Sequence, residues 1–144
     1  MEPKILDAAE TKSRILQMLN KECIVVSVAT FGTDDYPDIR APVVTANDGV
    51  DTIWFATETT SRKIAQIQKN PKAAIYSYDG EAMTEFRLFG TVELLSDAAS
   101  RRKVWKDDFT QHWPDGVDSP NMIVLRFNVE RGIYDSYVQE AGKF

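Results

Sequence analysis

The spacing of apolar positions along this chain changes period several times, and each change predicts an element. Ile5, Leu6, Ala9, Ile15, Leu16 and Leu19 recur broadly at helical spacing, which predicts a helix over residues 5–20. From Cys23 to Phe31 the chain is rich in β-branched residues and reads as a buried strand. Gly32-Thr33-Asp34-Asp35-Tyr36-Pro37 is turn chemistry, and a second strand follows over about Asp38 to Thr45. Asn47-Asp48-Gly49 signals a hairpin, because Asn and Gly tolerate the positive φ of a tight turn. A third strand covers about Thr52 to Thr57.

Beyond it, a helix is predicted from Ser61 to about Gln68, with Ile64 and Ile67 on one face. It stops at Asn70-Pro71, since the residue before proline disfavours helix. Ala73 to Tyr78 reads as a fourth strand, closed by Asp79-Gly80. In the long fifth strand, about Thr84 to Leu95, Phe86, Leu88, Gly90, Val92 and Leu94 alternate with polar or charged residues. Ser96 or Asp97 caps a helix over roughly Ala98 to Phe109, and Trp113-Pro114-Asp115-Gly116 is loop. Met122 to Val129 and Ile133 to Val138 look like two final strands. Six or seven strands, mostly joined by short turns and with three helices inserted, predict a mainly β, mostly antiparallel fold. Strands of that number and length curl into a closed or partly closed barrel. Residues 1–144 contain no repeat, low-complexity segment or linker and are expected to form a single domain.

Charge and composition narrow the partners. The formal net charge of −5 argues against a nucleic-acid partner, which calls for a basic face. No apolar run approaches the ~20 residues that span a bilayer, and Met1 to Leu19 lacks the continuous apolar core of a signal peptide. The expectation is therefore a cytoplasmic protein without a membrane partner. The single cysteine, Cys23, excludes an internal disulfide framework and a cysteine-rich zinc site, and reads as a small buried hydrophobe. His112 is the only histidine, so no metal site is expected. The chain has no glycine-rich dinucleotide fingerprint, no Walker-type phosphate loop and no Gly-x-Ser-x-Gly elbow to pair with His112. His112 lies in a polar loop and reads as a surface or packing residue.

One stretch carries positive chemistry. Trp54-Phe55-Ala56-Thr57-Glu58-Thr59-Thr60-Ser61-Arg62-Lys63 is a strand that runs out of apolar residues at Thr57 and opens a helix at Ser61. Hydroxyls, free amides at a helix start and two cations then share one corner, which suits a phosphate. The plain alternative is a capped helix with a solvated first turn. Cations there oppose the helix dipole, a conflict that a bound anion relieves. The second candidate is Arg40-Ala41-Pro42-Val43, where a mid-strand proline interrupts pairing and frees backbone for a ligand; the alternative is a plain edge strand. The third is the aromatic loop Phe109 to Trp113, a ligand lid or a packed corner. Trp105 reads as core or interface.

In order and spacing, Arg40-Ala41-Pro42-Val43, Trp54 to Thr57, Ser61-Arg62-Lys63, Asn70-Pro71, Gly90 to Leu95 with Asp97, Trp105 and the loop Trp113 to Pro120 resemble one family. It is the pyridoxamine 5′-phosphate oxidase-like FMN-binding split-barrel family, particularly its general stress protein-like branch. The resemblance covers about Ile5 to Tyr134. It implies a homodimer of split barrels with two FMN sites at the subunit interface. By position it implies that Arg40, Ala41, Pro42 and Val43 line the isoalloxazine and that Phe55 and Thr57 flank the ribityl chain. Ser61, Arg62 and Lys63 then hold the phosphate, and Trp113 reaches the flavin from the partner subunit. Arg40 beside the pyrimidine edge would favour a reduced, anionic flavin.

The chain departs from true pyridoxamine phosphate oxidases. Tyr134 to Phe144 contains no Arg-x-His element, and Val43 to Asn47 contains no lysine. Tyr134 is followed by Asp135, where the related branch often has tryptophan beside tyrosine. The expectation is accordingly an FMN-binding flavin oxidoreductase of the general stress type, acting on a small-molecule substrate that the sequence does not identify, rather than vitamin B6 oxidation. The alternatives are a flavin-binding stress-response protein without turnover, or the same barrel holding FAD or F420. An empty dimeric barrel is a further reading, and a single histidine argues against histidine-ligated heme.

Overall fold

The computed structural model describes residues 2–22, 24–137 and 139–144. Asp7, rather than Ile5, starts the first helix. Its carboxylate accepts from the Glu10 amide at 2.8 Å while the Glu10 carboxylate accepts from the Asp7 amide at 3.0 Å. This reciprocal cap fixes α1 at Ala8–Leu19, and the residues before it form a short strand, β1, Lys4–Leu6. The predicted helix thus gives up its first turn to a strand.

Next come β2 (Ser27–Phe31), β3 (Pro37–Arg40), β4 (Ala46–Asp48), β5 (Thr52–Glu58), α2 (Arg62–Lys69), β6 (Lys72–Asp79) and β7 (Thr84–Leu95). They are followed by α3 (Ala98–Val104), a 3₁₀ turn (Asp107–Gln111), β8 (Met122–Ser136) and β9 (Glu140–Lys143). The expected position of Cys23 in the first long strand lies outside the described residues, as does Val138. The predicted helix over Ala98–Phe109 breaks at Trp105, which is extended. The two final strands are one continuous β8, and β9, which pairs antiparallel with its end and parallel with β1, is an addition.

Antiparallel pairing runs from β2 to β6, β7, β8 and β5 in turn. The circuit closes through residues 37–48, whose first part pairs with β2 and whose last part pairs with β5. Pro42 marks the change of partner. Proline has no N–H for a ladder, and beyond Arg40 the pairing with β2 continues only as a single bridge, Val25–Val43. From Thr45 onward the chain bonds β5, with the Thr45 amide and hydroxyl both donating to the Trp54 carbonyl at 3.0 and 2.9 Å. The fold is therefore the mainly β barrel with inserted helices that the sequence predicts. Its wall is six strands deep around the ring when β3 and β4 count as one.

Alternation fills the interior. Ile53 and Phe55 of β5 point inward with Phe86, Leu88, Phe127 and Ile75, all buried. Trp54 and Ala56, on the opposite face of β5, pack with Val104, Trp113 and Met122 in a second cluster that includes Trp105 and Phe109. β5 is thus sandwiched between the barrel and an aromatic layer. The long pair β7–β8 bends at a bulge between Phe89 and Gly90, where a Cβ on Gly90 would collide with the Asn128 carbonyl oxygen. No helix among the described residues is long and apolar enough to cross a membrane.

Candidate anion and cofactor site

β5 delivers Thr57 to the rim of the barrel, and the chain turns straight into α2. The Ser61 hydroxyl caps that helix, accepting from the Lys63 amide at 3.4 Å. The first turn of α2 contains no acid. Helical spacing places Lys63, Gln66 and Ile67 on the buried face, so that the ammonium is carried inward.

A cavity of about 260 Å³ opens at this corner. Pro42, Val43 and Thr45 form one side, where the strand changes partner, and Ala56, Thr57 and Glu58 come from β5. Lys63 comes from α2, and Phe109, His112 and Trp113 close the cavity from the aromatic turn. The β4–β5 pairing is what brings the broken strand beside the corner. A wider recess of about 850 Å³ adjoins it, sharing Val43, Thr45, Phe109 and His112. Beneath, Phe55, Val28 and Phe127 border only about 10 Å³ of free space, scarcely room for one water. The barrel is packed, so a ligand belongs at its rim.

Two polar groups at this cavity lack partners. Lys63 is 9% exposed, and among the described residues no acceptor or carboxylate bonds its ammonium. Burial, and then the nearby Arg40 cation, push its pKa below the usual lysine value, with Asp38 partly offsetting. Trp113 is 6% exposed, and its indole Nε1–H is buried without an acceptor among the described residues. The indole packs edge to face on Phe109 at 5.6 Å. The Arg101 guanidinium donates to the carbonyls of Ser96 (2.8 Å), Val117 (3.3 Å) and Ser119 (2.6 Å), tying the following loop to α3. A buried N–H without an acceptor is costly, and a partly desolvated ammonium without a counter-charge is disfavoured, unless a ligand supplies the partner.

Of the residues singled out in the sequence, Pro42, Val43, Thr57, Lys63 and Trp113 meet at one cavity, and Phe55 lies just beneath. Trp113 does so within a single chain. Arg40, Ala41, Ser61 and Arg62 stand outside the cavity wall: Ser61 serves as the helix cap, and Arg40 pairs with Asp38 and bonds Gln66. The structure adds Thr45 and sets Ala56 and Glu58 of the strand end, with Phe109 and His112 of the aromatic loop, on the same wall. His112, read as a surface or packing residue, is exposed and lines both hollows. Its adjacency to Trp113 was the available signal.

A family model described as pyridoxamine 5′-phosphate oxidase matches residues 12–134. The chain belongs to the pyridoxamine 5′-phosphate oxidase family. Within it, the chain is similar to general stress protein 26 of Bacillus subtilis, with 28% identity over 87 residues, 58% of this chain and 61% of that protein. It also resembles a pyridoxine/pyridoxamine 5′-phosphate oxidase of Acidovorax, with 36% identity over 75 residues, 52% of this chain and 34% of that one. The chain thus spans less than two thirds of the length of either curated relative. Among solved structures, a Clostridium acetobutylicum protein related to general stress protein 26, of the pyridoxinephosphate oxidase family, superposes with a TM-score of 0.81. That match is 29% identical and covers 92% of both chains. These matches bear out the resemblance to the family and its general stress branch.

Proposed function

We propose that this chain binds FMN at the Thr57–Lys63 corner and is a flavin oxidoreductase of the general stress protein type. One observation carries the reading: Lys63, whose partly desolvated ammonium has no counter-charge among the described residues, and Trp113, whose buried indole N–H has no acceptor among them, line the same cavity at a helix start. Both are donors awaiting acceptors. A phosphate near Lys63 and a carbonyl or ring nitrogen near Trp113 would answer them.

The bound flavin would supply the electron chemistry, and the residues here bind, orient and shield it. Lys63 and the α2 amides hold the phosphate, while Thr57 and Phe55 border the linking chain. Pro42 and Val43 present backbone released from the ladder, and the Trp113 N–H fixes an acceptor while its ring excludes water. The 260 Å³ hollow alone falls below the roughly 300–1,000 Å³ of typical ligand pockets. A whole flavin therefore extends into the adjoining recess or under a second subunit.

A homodimer belongs to this reading. Val25, Phe31, Ile39 and Val43 are each more than half exposed and share the outer face of the β2–β3 hairpin, next to Tyr76. Exposed apolar groups in such continuity mark an interaction surface. Val43 belongs to both this face and the cavity wall, so a second copy docked there adjoins the site. The reading also takes the protein as cytoplasmic, without a nucleic-acid or membrane partner.

The test is an absorption spectrum after incubation with FMN and gel filtration, repeated with FAD and F420. One FMN retained per chain, eluting with a dimer, is the expected result; no retained flavin would overturn the reading. Reduction of bound flavin by NAD(P)H or a deazaflavin would mark an oxidoreductase. A flavin inert to all donors would leave the non-catalytic binder.

A further inference from the structure

Gln66 lies on the buried face of α2, one turn beyond Lys63, and is only 4% exposed. Its amide oxygen accepts twice and its nitrogen donates to a carboxylate. The carbonyl oxygen Oε1 accepts from the Thr30 hydroxyl at 2.7 Å and from Arg40 Nη2 at 3.2 Å. The nitrogen Nε2 donates to Asp38 Oδ2 at 2.7 Å, and Asp38 Oδ2 also accepts from Arg40 Nη2. Amide, carboxylate and guanidinium form a closed triangle, anchored to the barrel by Thr30 on β2.

The orientation of this amide is dictated by chemistry. Arg40 can only donate, and the Asp38 carboxylate, held below the usual range first by the Gln66 bond and then by Arg40, can only accept. Turning the amide over would set N–H against guanidinium and oxygen against carboxylate. With Oε1 toward Arg40, the Thr30 hydroxyl must donate as well. A surface glutamine on a helix has no such constraint. The consequence lies one turn back along the same buried face of α2: by holding Arg40 Nη2 at 3.2 Å, Gln66 sets the guanidinium behind the cavity wall at the Lys63 end of the helix, where its charge acts on the Lys63 ammonium. Two cations held in one another's field repel, and repulsion between long, flexible side chains ordinarily drives them apart. Here the Asp38 carboxylate and the Gln66 amide oxygen both accept from Arg40 Nη2, against that repulsion.

We propose that Gln66 is a positioning residue for the anion site: its fixed amide holds the Arg40 guanidinium beside Lys63, so that a phosphate meets two cations already in place. The proposal rests on reading the corner as the phosphate site, and it assigns Arg40 to the phosphate end of the ligand. Gln66 itself touches no ligand. It sets how much of the binding comes from the phosphate, because flexible cations lose part of the interaction to the ordering of their side chains.

The experiment compares dissociation constants for FMN and riboflavin, which share every group except the phosphate. Gln66→Leu is expected to weaken FMN about tenfold while changing riboflavin less than twofold, on the scale of one charge-assisted bond. Gln66→Glu sets a carboxylate against Asp38 and should lower the FMN preference too. Adding Asp38→Asn restores a donor–acceptor pair with reversed polarity, and the double variant should recover most of that loss. Thr30→Val, which removes only the anchor, should give an intermediate loss; it and the Glu–Asn pair decide the matter should Gln66→Leu fail to fold. An unchanged FMN-to-riboflavin ratio in these variants, or equal losses for both ligands without rescue, would overturn the proposal and leave the phosphate site intact. Equal affinities for FMN and riboflavin in the unaltered protein would instead remove the phosphate site, and the proposal with it.

Discussion

Lys63 concentrates the chemistry of the site in one side chain. Its protonated form is disfavoured in the ligand-free fold, so the unfolded state holds the proton more tightly. Ligand-free stability should therefore rise as pH climbs from the depressed value toward the ordinary lysine range, and Lys63→Met should flatten that rise in thermal melts. An anion reverses the preference. FMN affinity should fall as pH rises through the same window, whereas riboflavin affinity should follow only the titration of the ring common to both; parallel profiles would show that Lys63 does not face the phosphate. Trp113→Phe should weaken FMN and riboflavin alike, by about three- to tenfold, through loss of one N–H donor. Ser61-Arg62-Lys63 was readable in the sequence because cations at a helix start are anomalous. Gln66 was not, because a glutamine inside a polar helix looks the same whether its face is wet or buried.

At the scale of elements, Pro42 and Gly90 decide the shape. Proline's missing donor was legible, and the strand does change partner there. The bulge at Gly90 was not legible, because alternation through Phe86, Leu88, Gly90, Val92 and Leu94 continues across it and the extra residue, Glu130, sits on the other strand. Gly90→Ala should destabilise the fold by about 1–3 kcal/mol, measured by denaturant unfolding, because the Asn128 carbonyl has to move. A neutral effect would mean that β7 and β8 separate easily at this point. The break of the predicted Ala98–Phe109 helix has a tertiary cause. Trp105 turns extended and packs against the second cluster, whose members Trp54, Trp113 and Met122 lie outside the helix. Helical spacing alone cannot report such a contact.

For the whole molecule, the family and the barrel followed from an ordered set of short motifs, each weak alone. The ring closure through residues 37–48 explains why Pro42 and Val43, apart in sequence from Thr57 and Lys63, line one cavity with them. On the proposed reading, the apolar hairpin face seats a second copy of the chain. Ile39→Asp should convert a dimer to monomers in sedimentation velocity and weaken FMN along with it. A monomeric unaltered protein that retains FMN would show that one chain completes the site.

The central claim is that a phosphate-bearing flavin is held by its phosphate at Lys63. Its most direct test is a calorimetric titration of the unaltered protein and Lys63→Met with FMN and riboflavin at neutral pH. FMN is expected to bind the unaltered protein at least about tenfold more tightly than riboflavin, and Lys63→Met to remove this margin. Equal binding of the two flavins, or a margin that survives Lys63→Met, would contradict it.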